Sequence, residues 1–139
     1  MGYTNYWHRI DKPLCKEFVD EVKAVFAECK EKGIVLVGDE DYGENGRPVI
    51  KRRDPIADEN IVCFNGNPET GEDCESLVIS NADFEFARQY FPWRLERSKD
   101  GTIFQFCKTR REPYDYAVKK VLALAEKYGL VKDVTNDDD

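Results

Sequence analysis

"FCKTRREPYD", residues 106–115, decides how the chain is read. The residues up to Lys108, "TIFQFCK" (102–108), are rich in β-branched and aromatic types. Beyond Pro113, the apolar residues Tyr114, Val118, Val121, Leu122 and Ala125 recur at helical spacing. The ten residues are therefore a strand-to-helix junction, with Thr109–Glu112 as the turn and Pro113 in the first helical turn. Side-chain alternation sets Phe104, Phe106 and Lys108 on one strand face and Ile103, Gln105 and Cys107 on the other. The phenylalanines are expected to face the helices. Lys108, Arg110 and Arg111 then stand beside the amide donors of a helix start, which favours an anion. Glu112 and Asp115, in the same turn, can equally satisfy that terminus themselves.

Working outward, "YTNYWHRI" (3–10) reads as a first strand. A helix follows, with Asp11 as N-cap and Pro13 in its first turn; Leu14, Phe18, Val22, Val25 and Cys29 form its apolar stripe. Gly33 is the expected left-handed end of that helix, and "IVLVG" (34–38) the continuous apolar strand of a sheet centre. Residues 39–57 read as an exposed polar loop. "NIVCFNG" (60–66) and "SLVIS" (76–80) read as antiparallel partners. "NADFEFARQYF" (81–91) reads as a short helix begun by Asn81 and ended by Pro92. "WRLER" and "TIFQFCK" flank "SKDG", whose Asp-Gly is a hairpin signal. The last helix ends at Gly129–Leu130 as the first does at Gly33–Ile34.

This order predicts an α+β two-layer sandwich: a mainly antiparallel sheet with two long helices on one face and a short inserted helix. Residues 1–132 make a single domain, and 133–139 an acidic, flexible tail. A chain of 139 residues, 41% hydrophobic, has material for one core. No window approaches the ~18 apolar residues of a membrane helix. The N-terminus has no basic region followed by an apolar run, so a cytoplasmic location without membrane association is expected. Five cysteines, without a CxxC pair, predict free thiols rather than a disulfide framework or zinc site. The acidic clusters "GDEDYGEN" (38–45) and "GEDCES" (71–76) have the donors for a hard cation but read first as solvated turns. No cofactor is implied.

The net charge of −7 disfavours extended nucleic-acid binding. Residues 108–120 nevertheless hold five cations against two carboxylates, which suits a discrete anionic ligand.

"GYTNYW" (2–7), "FNG" (64–66), "CES" (74–76) and "FCKTRREPYD" together resemble a family of small, largely uncharacterised bacterial and phage proteins. Their pattern is approximately GYTHYW, FNG, a Glu-Ser pair and FCKTARKPYD. The resemblance spans nearly the whole chain, with 81–100 as a longer insert, and implies no established activity. It implies that Gly2, Tyr3, Tyr6, Trp7, Asn65, Glu75, Cys107, Lys108, Arg111, Pro113, Tyr114 and Asp115 occupy signature positions. The chain departs from the pattern at Asn5, where the family has His, and at Arg110 and Glu112. An amide at Asn5 removes a general base.

Tyr3, Tyr6, Trp7, Asn65, Glu75, Lys108, Arg111 and Tyr114 are the candidate ligand-binding residues. Aromatic faces stack, cations take phosphate or carboxylate, and Asn65 reads hydrogen-bonding edges. The first expectation is a small binding protein for an anionic, nucleotide-like ligand near the junction. The alternative is a phage-type protein that blocks a host defence protein in the host cytoplasm, its acidic surface mimicking nucleic acid. A Cys-dependent enzyme built on Cys107, with His8 assisting, is the third.

Overall fold

The structure is a computed structural model that describes residues 2–38, 41–42, 48–49, 54–96 and 98–139. It is an α+β fold of two long helices and mainly antiparallel sheet. Strand β1 (Thr4–Arg9) is the centre of a three-stranded sheet between β7 (Ile103–Lys108) and β8 (Val131–Asn136). Thr4 lies opposite Lys108 and Arg9 opposite Ile103, so the two motif-bearing strands are antiparallel neighbours. A second three-stranded sheet holds β4 (Ile56–Ala57), β5 (Ile61–Phe64) and β6 (Leu77–Ser80), with Phe64 opposite Leu77. A separate ribbon pairs β2 (Asp41–Tyr42) with β3 (Pro48–Val49).

Helices α1 (Lys16–Glu31) and α4 (Asp115–Lys127) cover one face of both sheets. The expected stripes are buried: Leu14, Phe18, Val22, Val25 and Cys29 from the first, and Tyr114, Val118, Val121, Leu122 and Ala125 from the second. They meet Trp7, Cys107 and Val131 of one sheet and Val62, Phe64, Leu77 and Ile79 of the other in a single core. Both helices close alike. Gly33 (φ 75°) is followed by an Ile34 amide bonded to the Cys29 carbonyl, and Gly129 (φ 71°) by a Leu130 amide bonded to that of Ala125. Between β6 and β7 stand helices α2 (Asp83–Tyr90) and α3 (Pro92–Glu96). Phe84, Ala87, Ile103 and Leu95 form a small second core beneath them.

Several expectations are corrected. The first helix starts at Lys16 rather than at Asp11, because residues 10–13 are held in a tight bend, the Lys12 amide bonding back to the Ile10 carbonyl. The Arg9 guanidinium donates to the Ile10 and Lys12 carbonyls, and the Leu14 amide donates to the Asn81 side chain. Asn81, thus occupied, does not start α2; Ser80 and Asp83 close that turn instead. Residues 34–38 are not a strand and make only a bridge from Val37 to Asn65. "WRLER" is not the arm of a hairpin: its first residues are α3, and Leu95 packs on Ile103. The Asp-Gly turn itself is present, with Gly101 at φ 78° and the Asp100 carboxylate accepting from the Thr102 amide and hydroxyl.

The acidic end is not a free tail. Residues 131–136 are β8, and the Asp137 carboxylate accepts from the Thr4 amide and the Tyr6 hydroxyl. The parity expected for β7 is inverted: Cys107 packs in the core of the long helices and Ile103 in the small core under α2 and α3, while Phe104 and Phe106 are 41% and 46% exposed. Cys107 is the better fit to a layer already crowded by Trp7 and Tyr114. The 39–57 loop falls partly outside the described residues, as does most of the 38–45 acidic cluster. Its described parts include β2, β3 and β4. None of the five cysteines is joined in a disulfide. No described helix is long and apolar enough to cross a membrane.

Candidate functional site

The signature segments meet at the junction, where they mainly bond one another. Buried Asn65 is the hub of the second sheet's end. Its amide nitrogen donates to the Cys74 carbonyl and the Ser76 hydroxyl, and its oxygen accepts from the Gly66 and Cys74 amides. A Cβ at Gly66 would lie 2.1 Å from the Glu72 carbonyl oxygen and 2.6 Å from the Tyr114 ring, so that position needs glycine. Glu75 joins the sheets: its carboxylate accepts from the Lys108 amide at 2.7 Å, and its amide donates to the Lys108 carbonyl. The Tyr114 hydroxyl and the Cys107 thiol both donate to the Glu75 carbonyl, at 2.7 and 3.3 Å.

A second network lies under the start of α4. The Asn5 amide and the Thr109 hydroxyl donate to one oxygen of Asp115, at 2.8 and 2.7 Å. Lys119 donates to the Tyr3 hydroxyl and to the Asn5 side-chain oxygen. The Tyr3 ring lies between the Arg111 guanidinium, 4.1 Å from its centroid, and the Lys119 ammonium at 4.6 Å. Arg111 also pairs with Asp138 at 2.6 Å. The Glu112, Asp115 and Tyr116 amides donate to carbonyls of the same turn, which removes donors from the expected anion site. Arg110 and Arg111 both adopt left-handed backbone (φ 55° and 60°) to let the Thr109 and Arg110 amides reach the Tyr3 carbonyl.

The eight candidate residues therefore do not share one cavity. Tyr3, Trp7, Asn65 and Tyr114 are buried among the helices and loops. Tyr6 and Lys108 lie on the opposite, outer face, where Tyr6 stacks on Phe104 at 6.0 Å. Trp7 is 2% exposed and faces away from Lys108, its indole donating to the Gln105 side chain. Burial and neighbouring negative charge push the Cys107 thiol far above its ordinary pKa, which keeps it protonated and removes the reactive thiolate.

An open site lies between the pins that hold the two sheets together. One pin is Glu75–Lys108. The other is buried Arg9, whose guanidinium pairs with Asp83 at 3.0 Å and donates to the Ser80 and Leu130 carbonyls. Burial raises the Asp83 pKa while Arg9 opposes the rise. Between these pins β6 and β7 are not paired, and a cleft of about 500 Å³ opens in the gap. Trp7 and Gln105 line it from below, Ser80 from the end of β6 and Ser76 from just before its start, and Phe106 from β7. Phe86, Phe91 and Arg94 complete it from α2 and α3.

Arg94 is half-buried, its guanidinium 4.7 Å above the Phe91 ring and its Nη1 3.5 Å from the Phe104 carbonyl oxygen. Among the described residues no carboxylate stands within ion-pair distance of it. Phe86, Tyr90 and Trp93 are 55%, 53% and 48% exposed around it.

Sequence reading missed this site, although a signal existed. Residues 84–93 hold five aromatics, and at helical spacing Phe84 and Ala87 take the core while Phe86 and Tyr90 fall on the other face. Among the described residues no group of three or more His, Cys, Asp or Glu side chains is placed to hold a metal ion. Compared with protein-family models, with curated proteins and with solved structures, the chain finds no match in any of the three.

Proposed function

We propose that this chain is a small binding protein for an anionic, nucleotide-like ligand, held in the cleft between the two sheets rather than at the junction. The observation that carries this reading is Arg94: a half-buried guanidinium on an aromatic face, without a described carboxylate partner, at the wall of a cleft lined by Phe86, Phe91 and Phe106. The volume, about 500 Å³, falls in the range of small-molecule sites. A flat ring inserts among the phenylalanines, Gln105 and the serine hydroxyls meet its polar edge, and Arg94 takes the anion. Asp83 does not repel that anion strongly, because Arg9 neutralises it.

The test is native mass spectrometry of protein purified from cells, set against its denatured mass. A small anionic adduct, retained by the native chain and lost in Arg94→Ala, is the expected result. A bare native mass, together with no shift in melting temperature on adding nucleotides, would overturn the reading.

A second reading is favoured by the exposure of Phe86, Tyr90 and Trp93 on one surface. Clustered exposed aromatics also mark protein-binding surfaces, so a chain that blocks a host protein is the alternative. In the same measurement a polypeptide adduct, lost in Tyr90→Ala, supports it.

A further inference from the structure

We infer that the ligand has two planar parts joined through an anionic bridge, the chemistry of a dinucleotide, with one part on each side of Arg94; this rests on the binding reading above. The cleft is one of two cavities that meet at this residue. The second, of about 450 Å³, is lined by Arg94 together with His8, Trp93, Lys99, Thr102 and Phe104. Helix α3 packs on β7, Leu95 against Ile103, and its Arg94 stands where the two cavities meet.

The two halves are built alike. Phe104 and Phe106 are alternate residues of β7, on the same face, with ring centroids 6.0 Å apart, and one lines each cavity. Phe91 and Trp93 flank the start of α3 in edge contact at 5.5 Å, and again one lines each cavity. Each cavity thus receives one ring from the strand and one from the α3 segment. Such paired rings take a flat heterocycle by stacking, whatever its identity.

The charge lies at the divide. In the cleft, Asp83 is matched by Arg9. In the second cavity, Asp100 is matched by Lys132, and Lys99 and Asp133 are of opposite sign. Lys99 and Arg94 both line the second cavity without an ion pair to a described carboxylate, and of the two Arg94 lines the cleft as well. A mononucleotide fills one half and brings its phosphate to Arg94. A dinucleotide fills both and places its bridging phosphodiester there.

The experiment is titration calorimetry with ribonucleoside 5′-monophosphates and with 3′,5′-linked dinucleoside monophosphates. The chains are wild type, Phe106→Ala, Trp93→Ala and Arg94→Ala. At least one dinucleotide should bind about tenfold or more tighter than its mononucleotide, one additional stacked base being enough for that gain. Trp93→Ala and Phe106→Ala should each weaken the dinucleotide about tenfold and the mononucleotide little, since either half serves it. Arg94→Ala should weaken both. Trp93→Leu, which keeps apolar bulk but loses the flat ring, should match Trp93→Ala and guards against a folding artefact. Dinucleotides that bind no tighter than mononucleotides, or that are indifferent to both Trp93 variants, would overturn the bipartite site and leave the binding reading standing. No binding of either class overturns both.

Discussion

The 106–115 junction and the 81–100 insert are both dense in aromatic and charged residues, and they use them in opposite ways. At the junction the side chains turn inward. Asn65, Asp115, Thr109 and Asn5 are buried and bonded to one another or to backbone, and Tyr114 closes on Glu75. In the insert, Phe84 and Ala87 hold the segment down while Phe86, Tyr90, Trp93 and Arg94 remain for something else. Buried polar groups cost stability unless they are paired, so a saturated network stabilises one geometry and has little capacity to bind anything further. Exposed rings beside a guanidinium with no described carboxylate partner have that capacity. A residue's membership in a recognisable motif is thus a poor guide to whether it contacts a ligand; its hydrogen-bond balance is a better one.

The comparison breaks most sharply at Arg9, which fastens the insert to the junction side. Arg9→Met leaves Asp83 buried without its cation, and the loss should be about 3–5 kcal/mol in chemical denaturation. Arg9→Met with Asp83→Leu should recover most of it; a double variant as unstable as the single would mean that the carbonyl contacts dominate. Next comes Asn65→Ala, which strands several buried amides and carbonyls and should cost about 2–4 kcal/mol. If it melts like wild type, the junction is not the saturated network described.

Arg110 tests strain. Its left-handed backbone (φ 55°) is costly for a side chain-bearing residue, so Arg110→Gly should stabilise by up to about 1 kcal/mol despite losing its bond to the Asp73 carbonyl. A destabilised glycine variant would show that the side-chain contact outweighs the backbone.

Asp100 gives a pH test at the foot of the insert. Lys132, with Thr102 and Ser98, holds its carboxyl well below the usual carboxylate range. The folded-state value is the lower one, so its contribution is present above the ordinary carboxylate pKa and is lost as pH falls through the folded value. Asp100→Asn should flatten the acid side of a melting-temperature profile, from about pH 5 downward. An unchanged acid limb would show that the group adds nothing measurable. The smallest effect belongs to the insert's rings: Phe86→Ala and Tyr90→Ala should each change stability by no more than about 0.5 kcal/mol, as differential scanning calorimetry would report. A large loss there would make the insert structural and erase its contrast with the junction.

The helices were legible because their signal is local. The stripe from Phe18 to Cys29, the stripe from Tyr114 to Ala125, and the glycines that end both helices depend on side-chain period and backbone freedom alone. The β5–β6 pairing was legible for a related reason, since two neighbouring β-forming runs joined by turn residues seek each other. Which face of β7 meets the core was not, because alternation defines two faces and packing chooses between them. Cys107 fits beside Trp7 and Tyr114, and Phe106 is left outside. The same limit hid the strand β8 in an acidic end, where pairing with β1 and the bonds to Asp137 outweigh a composition that reads as a tail. It hid the candidate site as well. A cleft exists only where two sheets are pinned at Glu75 and Arg9 and unpaired between, and no periodicity along one chain encodes the distance between two strands.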